Sequence, residues 1–132
     1  MSRVQLALNV SNIDAAVDHY RRLFGVEPAK RRPGYANFAI TDPPLKLVLI
    51  EGMGDPGSLN HLGVEVESSG EVATEAARLR NAGFTPRHED GVTCCYAVQD
   101  KFWVTSADNR EWEIYTVLAD AQQLAPQASR TR

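Results

Sequence analysis

The pattern of apolar and polar positions in the first half of the chain predicts a strand, a helix and two more strands. The segment "RVQLALNV" alternates apolar and polar residues, as a half-buried strand does. In "SNIDAAVDHYRRLFG" the apolar residues recur at helical spacing, with Ser11 as the expected N-terminal cap and Gly25 as the left-handed stop. The runs "YANFAI" and "LKLVLIE" predict strands, whereas Lys30-Arg31-Arg32 is expected to form a solvated turn.

The second half repeats this order. The segment "NHLGVEV" predicts a strand and "SGEVATEAARLRNAG" a helix that ends at Gly83. Strands are then expected around "TPRHED", "VTCCYAV", "KFWVT" and "EWEIYTV". The two leading strands align without a gap, "VQLALNV" on "NHLGVEV", so that Gln5 falls on His61.

The repeat predicts an α+β fold of two tandem βαβββ modules that form a shared curved-sheet cleft. The modules span about 1–52 and 58–118 of a single domain, 1–118. The remaining segment, 119–132, is small and polar and is expected to be a partly disordered tail. A functional site is expected between the duplicated halves.

Composition and charge narrow the classes of partner. A chain of 132 residues with a net charge of −3 offers no clustered basic face for nucleic acid. It has neither an apolar run long enough to span a membrane nor a signal-peptide pattern, which together predict a cytoplasmic protein. In that compartment the only two cysteines, Cys94 and Cys95, should be free thiols.

Three side chains at related positions could hold a metal ion. Gln5 and His61 occupy matching places on the leading strands, and Glu113 lies on the last strand of the second half. An amide oxygen, an imidazole nitrogen and a carboxylate could bind one face of a divalent cation and leave the other face open. Each residue also has an ordinary interpretation: Gln5 is polar by alternation, His61 could sit at a strand edge, and Glu113 could face solvent.

Several segments together resemble the vicinal oxygen chelate superfamily, which includes glyoxalases, extradiol dioxygenases and bleomycin-resistance proteins. These are the repeated halves, the "NHLGVEV" strand and the late "WEIY". Within it, "RPGYANFAI", "PPLKLVLIE" and above all "CCYAVQDKFWV" followed by "WEIYTVLADA" are similar to the ArsI-type carbon–arsenic lyases and the related CadI-like proteins. The resemblance covers nearly the whole chain.

This resemblance implies an Fe(II)-dependent, O₂-consuming enzyme that cleaves the C–As bond of trivalent organoarsenicals such as methylarsenite. It makes Gln5, His61 and Glu113 the metal ligands, with Ni, Co or Zn as other ions that the site could accept. It makes Cys94 and Cys95 the arsenic-binding thiols. The chain departs from the family at "SADNREWEIY", where Asn109 stands at a glycine position, and Asn tolerates a positive φ.

Three other functions stay open. The first is a non-catalytic thiol protein that binds cadmium or arsenite, since thiolates suit both. The second is a glyoxalase-like isomerase or thiol transferase on Zn or Ni, and the third is a drug- or partner-binding domain with two incidental cysteines. The sequence determines neither the organic group on arsenic nor the oligomeric state, for which a homodimer is one option.

The adjacent cysteines raise a conformational problem. Successive side chains of a strand point to opposite faces, so two neighbouring thiols on a regular strand cannot bind one arsenic atom. We therefore expect the backbone to leave strand geometry at Cys94 and Cys95, and we expect "DGVTCC" to be a mobile segment that Gly91 permits.

Overall fold

A computed structural model describes residues 2–121 and contains two βαβββ sets of elements. The first set is β1 (Arg3–Val10), α1 (Ile13–Phe24), β2 (Lys30–Arg32), β3 (Tyr35–Ile40) and β4 (Leu45–Glu51). The second set is β5 (Leu59–Glu65), α2 (Ser69–Asn81), β6 (Arg87–Cys94), β7 (Ala97–Thr105) and β8 (Glu111–Asp120). The predicted α+β class with its duplicated βαβββ order is therefore confirmed.

The chain folds as two compact units that meet in sequence between Gly63 and Val64. In the first unit the strand order is β2-β3-β4-β1-β5, and in the second β8 lies between the end of β5 and β7, with β6 outermost. Strand β8 continues to Asp120, beyond the predicted start of the tail, and 122–132 lie outside the described residues. The helices of the described part have at most 13 residues, and none is long and apolar enough to cross a membrane.

Each unit buries an apolar cluster between its helix and one face of its strands. In the first unit the cluster joins Val17 of α1 to residues of β3 and β4 such as Phe38 and Leu47. In the second it joins Val72 and Ala76 of α2 to residues of β7 and β8. Because strand residues alternate in direction, their neighbours lie on the opposite face of each unit.

Three local predictions need correction. The N-terminal cap of α1 is Asn12, not Ser11, because the Asn12 side chain accepts a hydrogen bond from the Ala15 N–H. Residues Lys30–Arg32 form the short strand β2 through antiparallel pairing with β3, not a turn. The segment "VTCCYAV" is not one strand, since β6 ends at Cys94 and β7 begins at Ala97. By contrast, Gly25 ends α1 with a φ of 67°, as predicted.

Candidate metal and thiol sites

The first unit brings Gln5 and His61 together. Gln5 lies on β1 with 4% of its surface exposed, on the face opposite the apolar cluster to which its neighbour Leu6 contributes. The Nε2 atom of Gln5 lies 3.2 Å from Nε2 of His61 on β5. The other ring nitrogen of His61, Nδ1, is 2.8 Å from Oδ1 of Asn60. The two residues that the repeat aligns are thus hydrogen-bonding neighbours.

The face of the first unit that carries Gln5 is buried yet polar. In the parallel pairing of β1 with β4, Lys46 stands opposite Gln5 and is 9% exposed. Asn37 on β3 is also buried, and its amide donates to the Tyr35 hydroxyl at 2.9 Å. Because burying polar groups costs free energy unless they are hydrogen-bonded, a face of this composition is typical of a binding site rather than of a core.

The second unit buries Glu113 in an ion pair that the sequence does not reveal. Glu113 on β8 is 2% exposed, and its Oε1 accepts a hydrogen bond from Nζ of Lys101 on β7 at 2.7 Å. Its neighbours Trp112 and Ile114 pack in the apolar cluster, so alternation directs Glu113 to the other face. Glu113 therefore does not face solvent, the ordinary alternative considered for it.

Lys101 is the functional-site candidate that sequence reasoning missed. It is 1% exposed, and its Nζ lies 5.4 Å from the ring centroid of Trp103 and 6.0 Å from that of Tyr115, within range of cation–π attraction. Burial is the largest single influence and lowers the pKa of Lys101, but the charge and hydrogen bond of Glu113 together with the charges of Cys94 and Cys95 raise it by more, so that the net shift is upward. The alternation of side chains along β7 could have revealed Lys101 from the sequence. It places Lys101 on the face opposite Phe102, a residue of the apolar cluster.

The two cysteines occupy a tight hairpin turn between β6 and β7. Cys94 pairs with Ala97, which leaves Cys95 and Tyr96 as a two-residue loop with φ values of 55° and 61°. Positive φ at both loop residues is the type I′ pattern, which matches the twist of paired strands. The side-chain amide of Gln99 supports this turn by donating to the Cys94 carbonyl at 2.8 Å.

Because the turn leaves strand geometry, the two sulfur atoms lie on the same side, with the Sγ atoms 3.2 Å apart. The expected departure from a regular strand at Cys94 and Cys95 is thus confirmed. A bulge also interrupts the pairing of β6 with β7 between Glu89 and Val92, where Gly91 has a φ of 62°. Movement of this segment stays a prediction.

The environment of Cys95 favours the neutral thiol. The hydrogen bond with Cys94, burial and the charges of Cys94 and Glu113 all raise the pKa of Cys95, while the ammonium of Lys101 lowers it. Cys95 is therefore within electrostatic range of Glu113 as well as of Lys101. Within the second unit, the half-buried thiol pair therefore lies near the buried ion pair that includes the third predicted metal ligand.

Of the five predicted site residues, the structure brings together Gln5 with His61 and Cys94 with Cys95. Convergence of Gln5, His61 and Glu113 on one ion stays a prediction. Among residues 2–121 no group of three or more His, Cys, Asp and Glu side chains could hold a metal ion.

The fold agrees with comparisons with known proteins. Residues 3–114 match the family model described as Glyoxalase/Bleomycin resistance protein/Dioxygenase superfamily, and the chain belongs to this superfamily. The "Mn(II)-bound glyoxalase from Novosphingobium aromaticivorans" has a similar fold, with a TM-score of 0.62 at 19% identity over 98% of this chain and 44% of that one.

Two curated relatives are much more similar in sequence. The "Cadmium-induced protein CadI" of Mycobacterium tuberculosis (strain ATCC 25618 / H37Rv) is 63% identical over 122 residues, which cover 92% of this chain and 80% of the relative. The "Trivalent organoarsenical cleaving enzyme" of Thermomonospora curvata is 56% identical over 126 residues, which cover 95% of this chain and 83% of the relative.

Proposed function

We propose that this protein is an Fe(II)-dependent C–As lyase that cleaves trivalent organoarsenicals such as methylarsenite and releases arsenite. The observation that carries the proposal is the pair of thiols 3.2 Å apart at a tight turn, in the same unit as the buried Glu113. The name of the relative at 56% identity, an organoarsenical cleaving enzyme, supports this substrate class.

The thiol pair suits capture of an arsenical that carries two hydroxyl groups. Each sulfur forms one As–S bond, and each thiol proton leaves with an arsenic hydroxyl as water. After capture the methyl group is the substituent left on arsenic, and the turn determines the direction in which it points.

Gln5, His61 and Glu113 fit a divalent cation by their chemistry, since an amide, an imidazole and a carboxylate are ligands that iron accepts. Bound there, Fe(II) would supply the redox chemistry that the co-substrate O₂ requires, and Ni, Co or Zn could bind the same donors. His61 would offer Nε2. Gln5 would have to turn its amide, because its Nε2 rather than its oxygen faces His61.

Turnover of methylarsenite tests the proposal. The protein, reduced and reconstituted with Fe(II), should release arsenite in air and release none when iron is chelated or oxygen is excluded. Cys94→Ser and Cys95→Ser should each abolish release, because one remaining thiol cannot make two As–S bonds. Arsenite release by either serine variant at the parent rate would contradict the assigned thiol role.

A second function is favoured by the 63% identity to a protein named for cadmium induction. In it the same thiols would bind cadmium or arsenite without catalysis, since thiolates are ligands for soft metals. Equilibrium binding separates the two functions. Tight binding of cadmium and methylarsenite with no arsenite formed under iron and oxygen would establish the binding protein. We place either activity in the cytoplasm, where thiols stay reduced.

A further inference from the structure

A series of hydrogen bonds leads from a backbone carbonyl of the first unit to the ring of His61. The hydroxyl of Ser58 donates to the Asp55 carbonyl at 2.6 Å. Nδ2 of Asn9 donates to Ser58 Oγ at 2.9 Å, and Nδ2 of Asn60 donates to Asn9 Oδ1 at 3.0 Å. Oδ1 of Asn60 then lies 2.8 Å from Nδ1 of His61. We call the residues Asp55, Ser58, Asn9 and Asn60 the amide relay.

The direction of every bond in the amide relay follows from its first member. A carbonyl oxygen can only accept, so the single hydroxyl proton of Ser58 is used on Asp55. Ser58 must then accept from Asn9, which directs the amide nitrogen of Asn9 to Ser58 and its oxygen to Asn60. The same logic directs the oxygen of Asn60 to His61. An oxygen acceptor at this place requires a proton on Nδ1 of the ring.

We propose that the amide relay holds neutral His61 in the tautomer that carries its proton on Nδ1, so that Nε2, which lies 3.2 Å from the Gln5 amide nitrogen, keeps its lone pair for a metal ion. Free histidine favours the opposite tautomer, with the proton on Nε2. Partners of this kind commonly orient histidine ligands, and their loss lowers metal affinity by roughly 10- to 100-fold. The consequence for metal binding rests on the proposed function, whereas the tautomer itself does not.

Gly54 leaves the room that the amide relay needs. A Cβ atom at position 54 would lie 2.6 Å from Asn9 Nδ2 and 3.0 Å from its Cγ, too close for either to stay in place. Asn9 is 4% exposed, and its backbone is held by hydrogen bonds to Ser58 and Gly57, so the side-chain amide is the part of Asn9 that must give way. Gly54→Ala should therefore displace the Asn9 amide and break the relay without touching His61.

Gly70 provides a matched control. A Cβ at position 70 would meet Ser68 Oγ at 3.6 Å, an ordinary van der Waals distance, and neither Gly54 nor Gly70 has a positive φ. Gly70→Ala changes the same atoms in the second unit and should leave the relay intact. Ser58→Ala is a second variant that should disrupt the amide relay, because it removes the hydroxyl that sets the direction of the hydrogen bonds.

The experiment measures the tautomer and metal affinity separately, in tag-free, reduced protein. Replacing His19 and His88 by Gln leaves His61 as the one imidazole, because the chain has three histidines. In this background ¹⁵N–¹H correlation spectra of the metal-free protein at pH 8 should show the Nδ1–H form. Gly54→Ala and Ser58→Ala should shift the signals towards the Nε2–H form and weaken Co(II) binding about tenfold, whereas Gly70→Ala should change neither.

An Nε2–H tautomer in the parent protein would overturn the proposal, as would a Gly54→Ala variant that matches Gly70→Ala in tautomer. Thermal unfolding of each variant verifies that the fold is kept. If Gly54→Ala does not fold, Ser58→Ala decides alone, since removal of one exposed hydroxyl leaves the backbone unchanged. If the spectra behave as expected but the parent binds no Co(II) or Fe(II), the relay stands and the metal site of the proposed function fails.

Discussion

The two units differ in the residues that occupy positive φ. Among the described residues, every positive φ of the first unit belongs to a glycine: Gly25, Gly34, Gly52 and Gly57. The second unit places four non-glycine residues there, in the consecutive pairs Cys95-Tyr96 and Asp108-Asn109. Asp and Asn tolerate this region, whereas for other residues it costs about 1–2 kcal/mol each. The exception is therefore the thiol turn, where side chains are kept in spite of strain.

The units also differ in how they hold their polar groups. The first unit orients His61 through neutral amides and a hydroxyl. The second unit forms an ion pair between Lys101 and Glu113, close to two thiols. Neutral hydrogen bonds are modest individually, but a buried charge without its partner is costly. Substitutions in the second unit should thus have the larger effects on stability, and the predictions below follow that order.

The largest effect is expected from Lys101→Met, which leaves Glu113 buried without the ammonium group of its ion pair. Breaking a buried ion pair costs about 3–5 kcal/mol of unfolding free energy. The double variant Lys101→Met/Glu113→Leu should recover much of this loss, because no buried charge remains. Urea unfolding of the metal-free proteins measures both. A double variant less stable than Lys101→Met would show that the pair is not the source of the effect.

The next effect is a loss of stability at alkaline pH that depends on Cys95. The pKa of Cys95 is raised in the folded protein from an ordinary value of 9.0, so the unfolded chain loses this proton first. Below pH 9 the thiol is protonated in both states, and its contribution to the free energy of unfolding is fully present. Above pH 9 the free energy of unfolding should fall by about 1.4 kcal/mol per pH unit. Unfolding at pH 8, 9 and 10 should show this slope in the parent, with a shallower slope in Cys95→Ala.

A smaller effect tests the strain at the thiol turn. Asn-Gly is the preferred pair for a type I′ loop, so Cys95→Asn/Tyr96→Gly should raise the unfolding free energy by about 1 kcal/mol. The same variant should no longer bind methylarsenite. The matched change Asp108→Asn/Asn109→Gly should gain only a few tenths of a kcal/mol. Equal gains in unfolding free energy at the two turns would show that the thiol turn is no more strained than the turn at Asp108 and Asn109.

The smallest effect concerns Gln99, which is 4% exposed. Its Nε2 supports the turn through Cys94, while its Oε1 is buried without a hydrogen-bond partner within the described part of the chain. Gln99→Met removes both atoms, so the lost bond and the relieved oxygen should offset each other to within about 1 kcal/mol. The free energy of methylarsenite binding should weaken by more than the free energy of unfolding changes. A variant that is stable and binds like the parent would show that the amide is not needed to hold the turn.

Much of the fold and part of the site follow from local patterns. Alternation and helical spacing predict most strands and both helices, and alignment of the halves points to Gln5 and His61 before any distance is known. Asn109 was expected to accept a positive φ, and its φ is 60°. These features depend on neighbouring residues or on the repeat itself, both of which can be read directly from the chain.

Other features depend on contacts that no local pattern encodes. Strand β2 exists because β3 pairs with it, since "KRR" alone has little strand preference. The thiol turn lacks the Gly or Asn that would announce a two-residue loop, so residue preferences alone predict a strand there, and only the need for both thiols to bind one atom indicates a turn. The amide relay joins Asn9 to Asn60, which are 51 positions apart, and therefore needs the tertiary structure to appear.

The two-residue length of the thiol turn also limits how this chain can change over evolution. Substitutions at Cys95 or Tyr96 keep the pairing of Cys94 with Ala97, so everything downstream stays in place. An inserted residue would either slip β7 by one position, which exchanges the faces of Lys101 and Phe102, or lengthen the loop to three residues and end the type I′ geometry that places the two sulfurs side by side. New specificities at this hairpin are thus reached more readily by point mutation than by single-residue insertion.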